Sequence, residues 1–288
     1  MPLCTLHLLA LHPTSPNPLA TFLSALKSSS LSPLVISRVI RWIILPTKIS
    51  TEHLLARNIH WDILLILPNT DALPLPLKTH IGHHWHITAG IPSRLIQDFA
   101  TKNRKLLHPE PSSIPPLNTE TKVTTDSAQS LELSSELNTW IEESLQRGGK
   151  EDVGAVSMFN LLSFNPGMKA SYLQYGAAFA ESIGSAHGGN AKIVGNVVDT
   201  NGCASPPKIL EPTTPHGEVG GSECWDEIAL AHYPSISHFR DMLTSEGYQR
   251  VNKRYRVPSL RDTAILMTSE VEVEEMMRGG GGGGPSKL

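Results

Sequence analysis

His232, Tyr233, Tyr248 and an arginine at 254 or 256 are the side chains whose types and spacing best suit chemistry on a small molecule. A histidine moves protons near neutral pH, and an arginine holds a carboxylate or enolate through its planar fork of donors. His232 and Tyr233 end an alternating run, WDEIALAHY, at 225–233. Trp225, Glu227, Ala229, Ala231 and Tyr233 share one face of a strand there, and Asp226, Ile228, Leu230 and His232 share the other. Tyr248 lies on a helix expected to fold back across that sheet. His232, Tyr248 and Arg254 are therefore expected as catalytic groups at one pocket mouth, with Asn160, Tyr233 and Arg256 binding substrate. The plainer readings are a core Tyr248 with its hydroxyl satisfied, arginines on a solvated face, and Asp62 and Asp226 as exposed strand residues or turn acceptors.

A second cluster comprises His80, His83, His84 and His86. On a strand His84 and His86 point the same way, and neutral imidazoles bind zinc or copper. No cysteine or carboxylate stands at ligand spacing nearby, and Trp85 alternates with them as a core residue does, so an edge strand without a metal is expected. Gly279–Gly284 lacks the Lys-Ser/Thr of a phosphate loop. Neither a nucleophile elbow nor a dinucleotide fingerprint is present. These absences remove most nucleotide-dependent and hydrolase readings, and no cofactor is expected.

The elements that must position these residues follow from periodicity and punctuation. Pro234 ends the strand at 225–233 because it has no N–H to donate. Ser235 or Ser237 then caps a helix with Phe239, Met242 and Leu243 as its apolar stripe. Gly247 is expected to break or kink that helix, Pro258 to end the helical run, and Thr263–Thr268 to form a strand. Upstream, a strand at 155–164, a turn at Asn165-Pro166-Gly167, a helix at 169–182 carrying Tyr172, Tyr175 and Phe179, and a strand at 192–199 precede it. The order β-α-β-β-α-β is the ferredoxin-like arrangement.

Three motifs in this half carry a resemblance: Asn160-Leu161-Leu162, His232-Tyr233-Pro234-Ser235, and Ser245-Glu246-Gly247-Tyr248-Gln249 followed by Arg254. Residues 150–270 thereby resemble a small family of unknown function in the dimeric α+β barrel superfamily. The resemblance implies paired sheets closing into a barrel, usually between two chains. It also implies cofactor-free chemistry on small organic compounds: oxygenation, isomerisation or decarboxylation. A non-catalytic ligand-binding or assembly protein using the same barrel interface is the rival reading. A space filled by Trp225, Phe159 and Tyr248 would favour that rival.

The first hundred residues repeat the layout in diverged form. Strands are expected at 4–11, 35–45 and 61–67, with a helix opened by Pro18 and a short one from Ser50 to Arg57. Trp61-Asp62 opens a strand that stops at Pro68, as Trp225-Asp226 opens one that stops at Pro234. Leu73–Pro76 reads as linker, 79–91 as a strand and 92–107 as one helix. The fold class expected is α+β, two tandem ferredoxin-like units in a barrel architecture, closed within one chain or between two in a homodimer. The division is 1–107 as the diverged unit, 108–150 as linker with one amphipathic helix, 151–273 as the clear unit and 274–288 as a flexible tail.

Composition bounds the rest. The 288 residues are 40% hydrophobic and 18% charged, with a net charge of −3, which fits a globular chain and gives no sign of nucleic acid or an anionic membrane as partner. Apolar runs are too short to span a bilayer, no secretory signal is read at the start, and three scattered cysteines make no disulfide framework. Ser286-Lys287-Leu288 after a glycine tether is the tripeptide read by the peroxisomal import receptor, so the matrix of that organelle is the expected location.

Overall fold

The computed structural model describes residues 1–49, 52–118, 124–149, 153–201, 203–204 and 225–279. The targeting tripeptide and the expected cap at Ser50 lie outside these residues. The first half runs β1 (Leu3–Leu11), α1 (Pro18–Lys27), β2 (Val35–Ile44), β3 (Ile63–Leu67), α2 (Leu75–Lys78), β4 (Ile81–Gly90), α3 (Ser93–Ile96) and α4 (Phe99–Leu107). After α5 (Ser135–Arg147) come β5 (Val156–Phe164), α6 (Lys169–Ala178), β6 (Asn190–Thr200) and the two-residue β7 (Cys203–Ala204). The chain ends in β8 (Glu227–Tyr233), α7 (Ile236–Thr244), α8 (Glu246–Val251), β9 (Leu260–Ser269) and α9 (Val271–Arg278).

All strands join one antiparallel sheet in the order β4-β1-β3-β2-β9-β5-β8-β6-β7, and β4 also pairs with β6. That added pairing closes eight strands into an α+β barrel, with β7 appended to β6. Each quartet has the same internal order, its fourth strand beside its first, then its third, then its second. The quartets meet at two seams, β2 with β9 and β4 with β6. The barrel therefore closes within one chain and needs no second copy to complete it.

Period-2 alternation divides the apolar residues between three cores. Leu6, Leu8, Leu64, Ile66, Trp85, Ile87, Phe159, Leu161, Ile228, Leu230 and Leu266 fill the barrel interior together with Trp61 and Trp225. On the outside of the first half, Leu9, Ile63, Leu65 and Leu67 meet Phe22, Leu23 and Leu26 of α1, Leu77 of α2 and Val273 of α9. On the outside of the second half, Met158, Tyr233, Ile265 and Met267 meet Leu137 and Ile141 of α5, the α6 aromatics, and Phe239, Met242 and Tyr248.

The two Trp-Asp pairs occupy equivalent places. The Leu11 amide donates to Asp62 Oδ2 at 2.7 Å, and the Phe164 amide donates to Asp226 Oδ2 at 2.8 Å. The Asp62 amide donates to the Leu9 carbonyl and that of Asp226 to the Leu162 carbonyl, both at 2.8 Å. Each aspartate thus holds the end of its quartet's first strand, and each tryptophan plugs the barrel interior.

Several local expectations change. The helix expected over 92–107 splits, because Gln97 is extended and Asp98 adopts a left-handed φ of 54° before α4 begins. Leu73–Pro76 is not all linker: α2 starts at Leu75, and Pro76 is tolerated in its first turn. The break expected at Gly247 falls at Ser245, whose extended backbone and side chain cap α8 by accepting from the Tyr248 amide. The helix over 169–182 is α-helical only to Ala178 and continues as a π turn, Phe179–Ile183. Helix α9 runs through position 274, so the expected start of the tail falls inside a helix packed on α1 and β2. No helix among the described residues is long and apolar enough to cross a membrane.

Closure of the β4–β6 seam depends on a missing side chain. A Cβ on Gly195 would stand 2.9 Å from Ile91 Cγ1, 3.0 Å from the Gly90 carbonyl oxygen and 3.1 Å from Ala89 Cβ. Gly195→Val is expected to lower unfolding free energy by about 2 kcal/mol, the scale of overpacking a tight core. Gly247→Ala, where the nearest atom is a side-chain hydroxyl at 3.6 Å, should stay within about 1 kcal/mol of the parent. Urea titration checks both; equal midpoints would show that the seam tolerates the added bulk.

Candidate functional site

The outer face of the second-half sheet does not meet its helices everywhere. Ala229 and Ala231 on β8 and Ala191 on β6 are too short to reach them, and a cavity of about 320 Å³ opens above these residues. Its floor includes Met158, Asn160, Val194 and Ile265, and its roof is Tyr172, Leu173, Tyr175, Gly176 and Phe179 of α6 and the π turn. Pro92, Arg94 and Leu95 border it from α3 and the residues before it. The barrel interior, by contrast, is packed by Trp85, Trp225 and Phe159, all at most 1% exposed. Trp225 and Phe159 therefore fill the barrel, Tyr248 lies outside it in the helix layer, and the open space is between sheet and helices.

Aromatic spacing on α6 shapes the roof. Tyr172, Tyr175 and Phe179 lie at i, i+3 and i+7, with centroid separations of 5.4 Å and 6.3 Å along the stack. Phe164 extends it at 4.9 Å from Tyr172. The Tyr175 hydroxyl lies 3.4 Å from that of Tyr248, which is fully buried behind it. Tyr233 lines the cavity and donates its hydroxyl to Met242 Sδ at 3.1 Å. Burial pushes the hydroxyls of Tyr172, Tyr175, Tyr233 and Tyr248 upward in pKa, against the opposing pull of the Arg256 charge. They stay protonated near neutral pH and serve as hydrogen-bond donors, not bases.

The two arginines left open by the sequence separate cleanly. Both sit in a π turn, Asn252–Arg256. Arg254 is exposed and lies over the Tyr255 ring at 5.0 Å, away from the cavity. Arg256 is 2% exposed and lines the cavity, with one amine 3.5 Å from Thr263 Oγ1. Asn160 also lines it, and its amide donates to the Met158 carbonyl at 2.9 Å.

His232 does not join them. It follows Ile228 and Leu230 onto the barrel-interior face, opposite Tyr233, and is 1% exposed. A bulge in β6 between Ala191 and Ile193 turns Lys192 into the same end of the barrel. There Lys192 pairs with Glu270 and donates to Asn103 Oδ1 at 3.0 Å, while Asn103 donates to Glu270 at 2.7 Å. Burial, with the Lys192 charge second, holds the His232 imidazole down to about 3. It is neutral and sealed in, so its expected convergence with Tyr248 and Arg254 is not found.

Glu227, not singled out from the sequence, lines the cavity with its side chain 8% exposed and pairs with Lys169 at 3.1 Å. Lys169 also donates to Asn196 Oδ1. The signal was a carboxylate on the same strand face as two alanines and Tyr233, where an ordinary packed face would be apolar throughout.

The histidine cluster also has a different membership. His84 and His86 share the outer face of β4, as expected, but their neighbour is His7 of β1. His7 Nδ1 lies 2.9 Å from His84 Nε2, with His7 and His86 ring centroids 6.2 Å apart. Burial, reinforced by the neighbouring imidazoles, lowers His7 to about 3. Among the described residues no group of three His, Cys, Asp or Glu side chains is arranged to hold a metal ion.

No protein-family model matches the chain, and no curated protein matches it. Among solved structures it is similar to an anthrone oxidase-like protein, at 9% identity over 93% of each chain with a TM-score of 0.35. It is also similar to a protein of unknown function from Rhodopseudomonas palustris, at 18% identity over 47% of this chain and 92% of that one, with a TM-score of 0.30. Likenesses this distant leave the function to be read from the chain's own residues.

The His232 environment sets a pH dependence. An unfolded histidine titrates near 6.5, whereas the folded one does so near 3. Between those values the unfolded chain takes up a proton that the folded chain refuses, so stability falls as pH is lowered. The loss approaches about 1.4 kcal/mol per pH unit for this residue. His232→Gln should flatten the stability profile between pH 6 and 4 by about that slope. Chemical denaturation across that range measures it, and an unchanged slope would mean His232 titrates in the folded protein.

Proposed function

We propose that the chain is built from two tandem ferredoxin-like units and that its second unit binds a small organic molecule between sheet and helices. The open cavity between the outer face of the sheet and its helices carries this reading. Its mostly apolar walls with a few convergent polar groups suit a small ligand. The activity proposed is a cofactor-free enzyme of small-molecule metabolism, of oxygenase, isomerase or decarboxylase type.

Isomerisation by proton transfer suits the lining groups best. Glu227 takes a proton from a carbon next to a substrate carbonyl, the C–H electron pair passes into an enolate, and return of the proton at another carbon gives the isomer. The Tyr172 hydroxyl proton and the second N–H of the Asn160 amide, on residues that line the cavity, would donate to the developing oxyanion. In this reading Tyr233, Asn160 and Arg256 keep their binding roles, Tyr248 supports Tyr175, and Glu227 takes the proton-transfer role expected of His232.

The rival is a non-catalytic carrier or assembly protein. It is favoured by the exclusion of both His232 and Arg254 from the cavity. The Ser286-Lys287-Leu288 terminus supports import into the peroxisome matrix by the tripeptide receptor. A fluorescent fusion should be punctate with Leu288 present and diffuse without it; diffuse signal from both would remove the assignment.

Native mass spectrometry of the protein purified from its own source tests the cavity. An organic adduct is expected on the parent and absent from a folded Ala231→Phe variant, whose ring occupies the space. An adduct retained by that variant would place the ligand elsewhere. Loss of turnover on that ligand in Glu227→Gln, with binding kept, separates enzyme from carrier.

A further inference from the structure

We infer that the ligand of this cavity is a monoanion, a planar carboxylate on a small apolar body, and that Arg256 receives its charged end. The inference rests on the proposed ligand-binding role of the cavity and names the class of ligand it takes.

The observation is a charge without a counter-charge. Arg256 is 2% exposed and lines the cavity, and among the described residues no carboxylate lies within ion-pair distance of its guanidinium. Its described hydrogen-bond partners are two neutral hydroxyls, that of Tyr172 and that of Thr263 at 3.5 Å, a long contact, and the Thr263 hydroxyl donates onward to the Leu161 carbonyl at 3.0 Å. A guanidinium carries five donors. Buried charges are ordinarily paired, because desolvating one alone is costly.

The surrounding groups do not supply the missing charge. Tyr172, Tyr175, Tyr233 and Tyr248 are held neutral around it. Glu227 borders the same space with Lys169 at 3.1 Å, so its charge is met by a lysine. Arg94 adds a second positive group at the exposed border. The space is therefore positive on balance and ringed by hydroxyl donors, an arrangement that receives an anion.

Shape narrows the class. One buried guanidinium matches one negative charge, and its fork meets both oxygens of a planar carboxylate. The remaining walls are the Tyr172–Phe179 aromatic stack on one side and Ala229 and Ala231 on the other, a slot for a flat apolar body. A volume of about 320 Å³ lies at the small end of ligand sites, which suits one or two fused rings.

The test compares 2-naphthoate with its neutral amide, 2-naphthamide, by titration calorimetry on the full chain, alongside Arg256→Gln and Arg256→Met. A hydrogen bond to a charged group is stronger than one to a neutral group, so the anion should bind the parent at least about tenfold tighter than the amide. That preference should collapse in Arg256→Gln. Without ligand, Arg256→Met should melt at the parent temperature or above it, since it removes an unpaired buried charge. Equal binding of acid and amide, or binding of the amide alone, would overturn the anion inference and leave the cavity reading standing. Binding of neither probe, nor of unsubstituted naphthalene, would overturn both. A melting temperature several degrees lower in both variants would show that the guanidinium is paired within the folded chain, and would also overturn it.

Discussion

The barrel exists because β4 and β6 can lie close enough to exchange hydrogen bonds along Ile87–Gly90 and Asn196–Thr200. That approach is eased by the lack of a side chain at Gly195, since a Cβ there would crowd Ile91 at 2.9 Å and the Gly90 carbonyl at 3.0 Å. Without the seam, the sheet would present two unpaired edges, each a template for unwanted pairing. The interior would also lose a wall. Trp61, Trp85, Trp225 and Phe159 are buried only because strands from both halves enclose them. Among the described residues, Trp85, Trp225 and Phe159 pack the interior, and the cavity described above lies on an outer face, under the helices.

The two outer faces differ at equivalent strands. β3 sends Ile63, Leu65 and Leu67 outward, long enough to interlock with α1, α2 and α9. β8, the third strand of its own quartet, sends Glu227, Ala229, Ala231 and Tyr233 outward. Two alanines in place of leucines withdraw the sheet from its helices, and the cavity is what remains. The first half has spent its outer face on packing, while the second keeps space and polar groups there. The π turns at Phe179–Ile183 and Asn252–Arg256 extend the difference, because each shifts the helical register just where a cavity-lining side chain emerges.

Much of this architecture was legible in the sequence. Alternation gave the strand faces, including the face shared by Glu227, Ala229, Ala231 and Tyr233. Trp-Asp at 61–62 and 225–226 marked equivalent strand starts, and the structure adds the reason: each aspartate accepts the amide at the end of its quartet's first strand. What could not be read was which side of the sheet each face meets. Period 2 puts His232 opposite Tyr233 but does not say that one faces a sealed barrel and the other a cavity. Choosing Arg256 over Arg254 needed the π turn, whose register no periodicity announces. The His7 partnership with His84 and His86 depended on pairing across 77 residues.

Two buried basic groups show how the same cost is met in different ways. Lys192 is carried into the barrel end by a bulge and is answered at once by Glu270, with Asn103 bridging the pair. Its cluster is satisfied and closed, and no ligand is needed to explain it. Arg256 is equally buried, yet its described contacts offer the hydroxyls of Tyr172 and Thr263 instead of a carboxylate. It also lines the cavity, and Lys192 does not. A structural cation and a ligand-receiving one are therefore distinguished by two features together, the missing counter-charge and the adjoining cavity. Burial alone would have placed the two residues in one class.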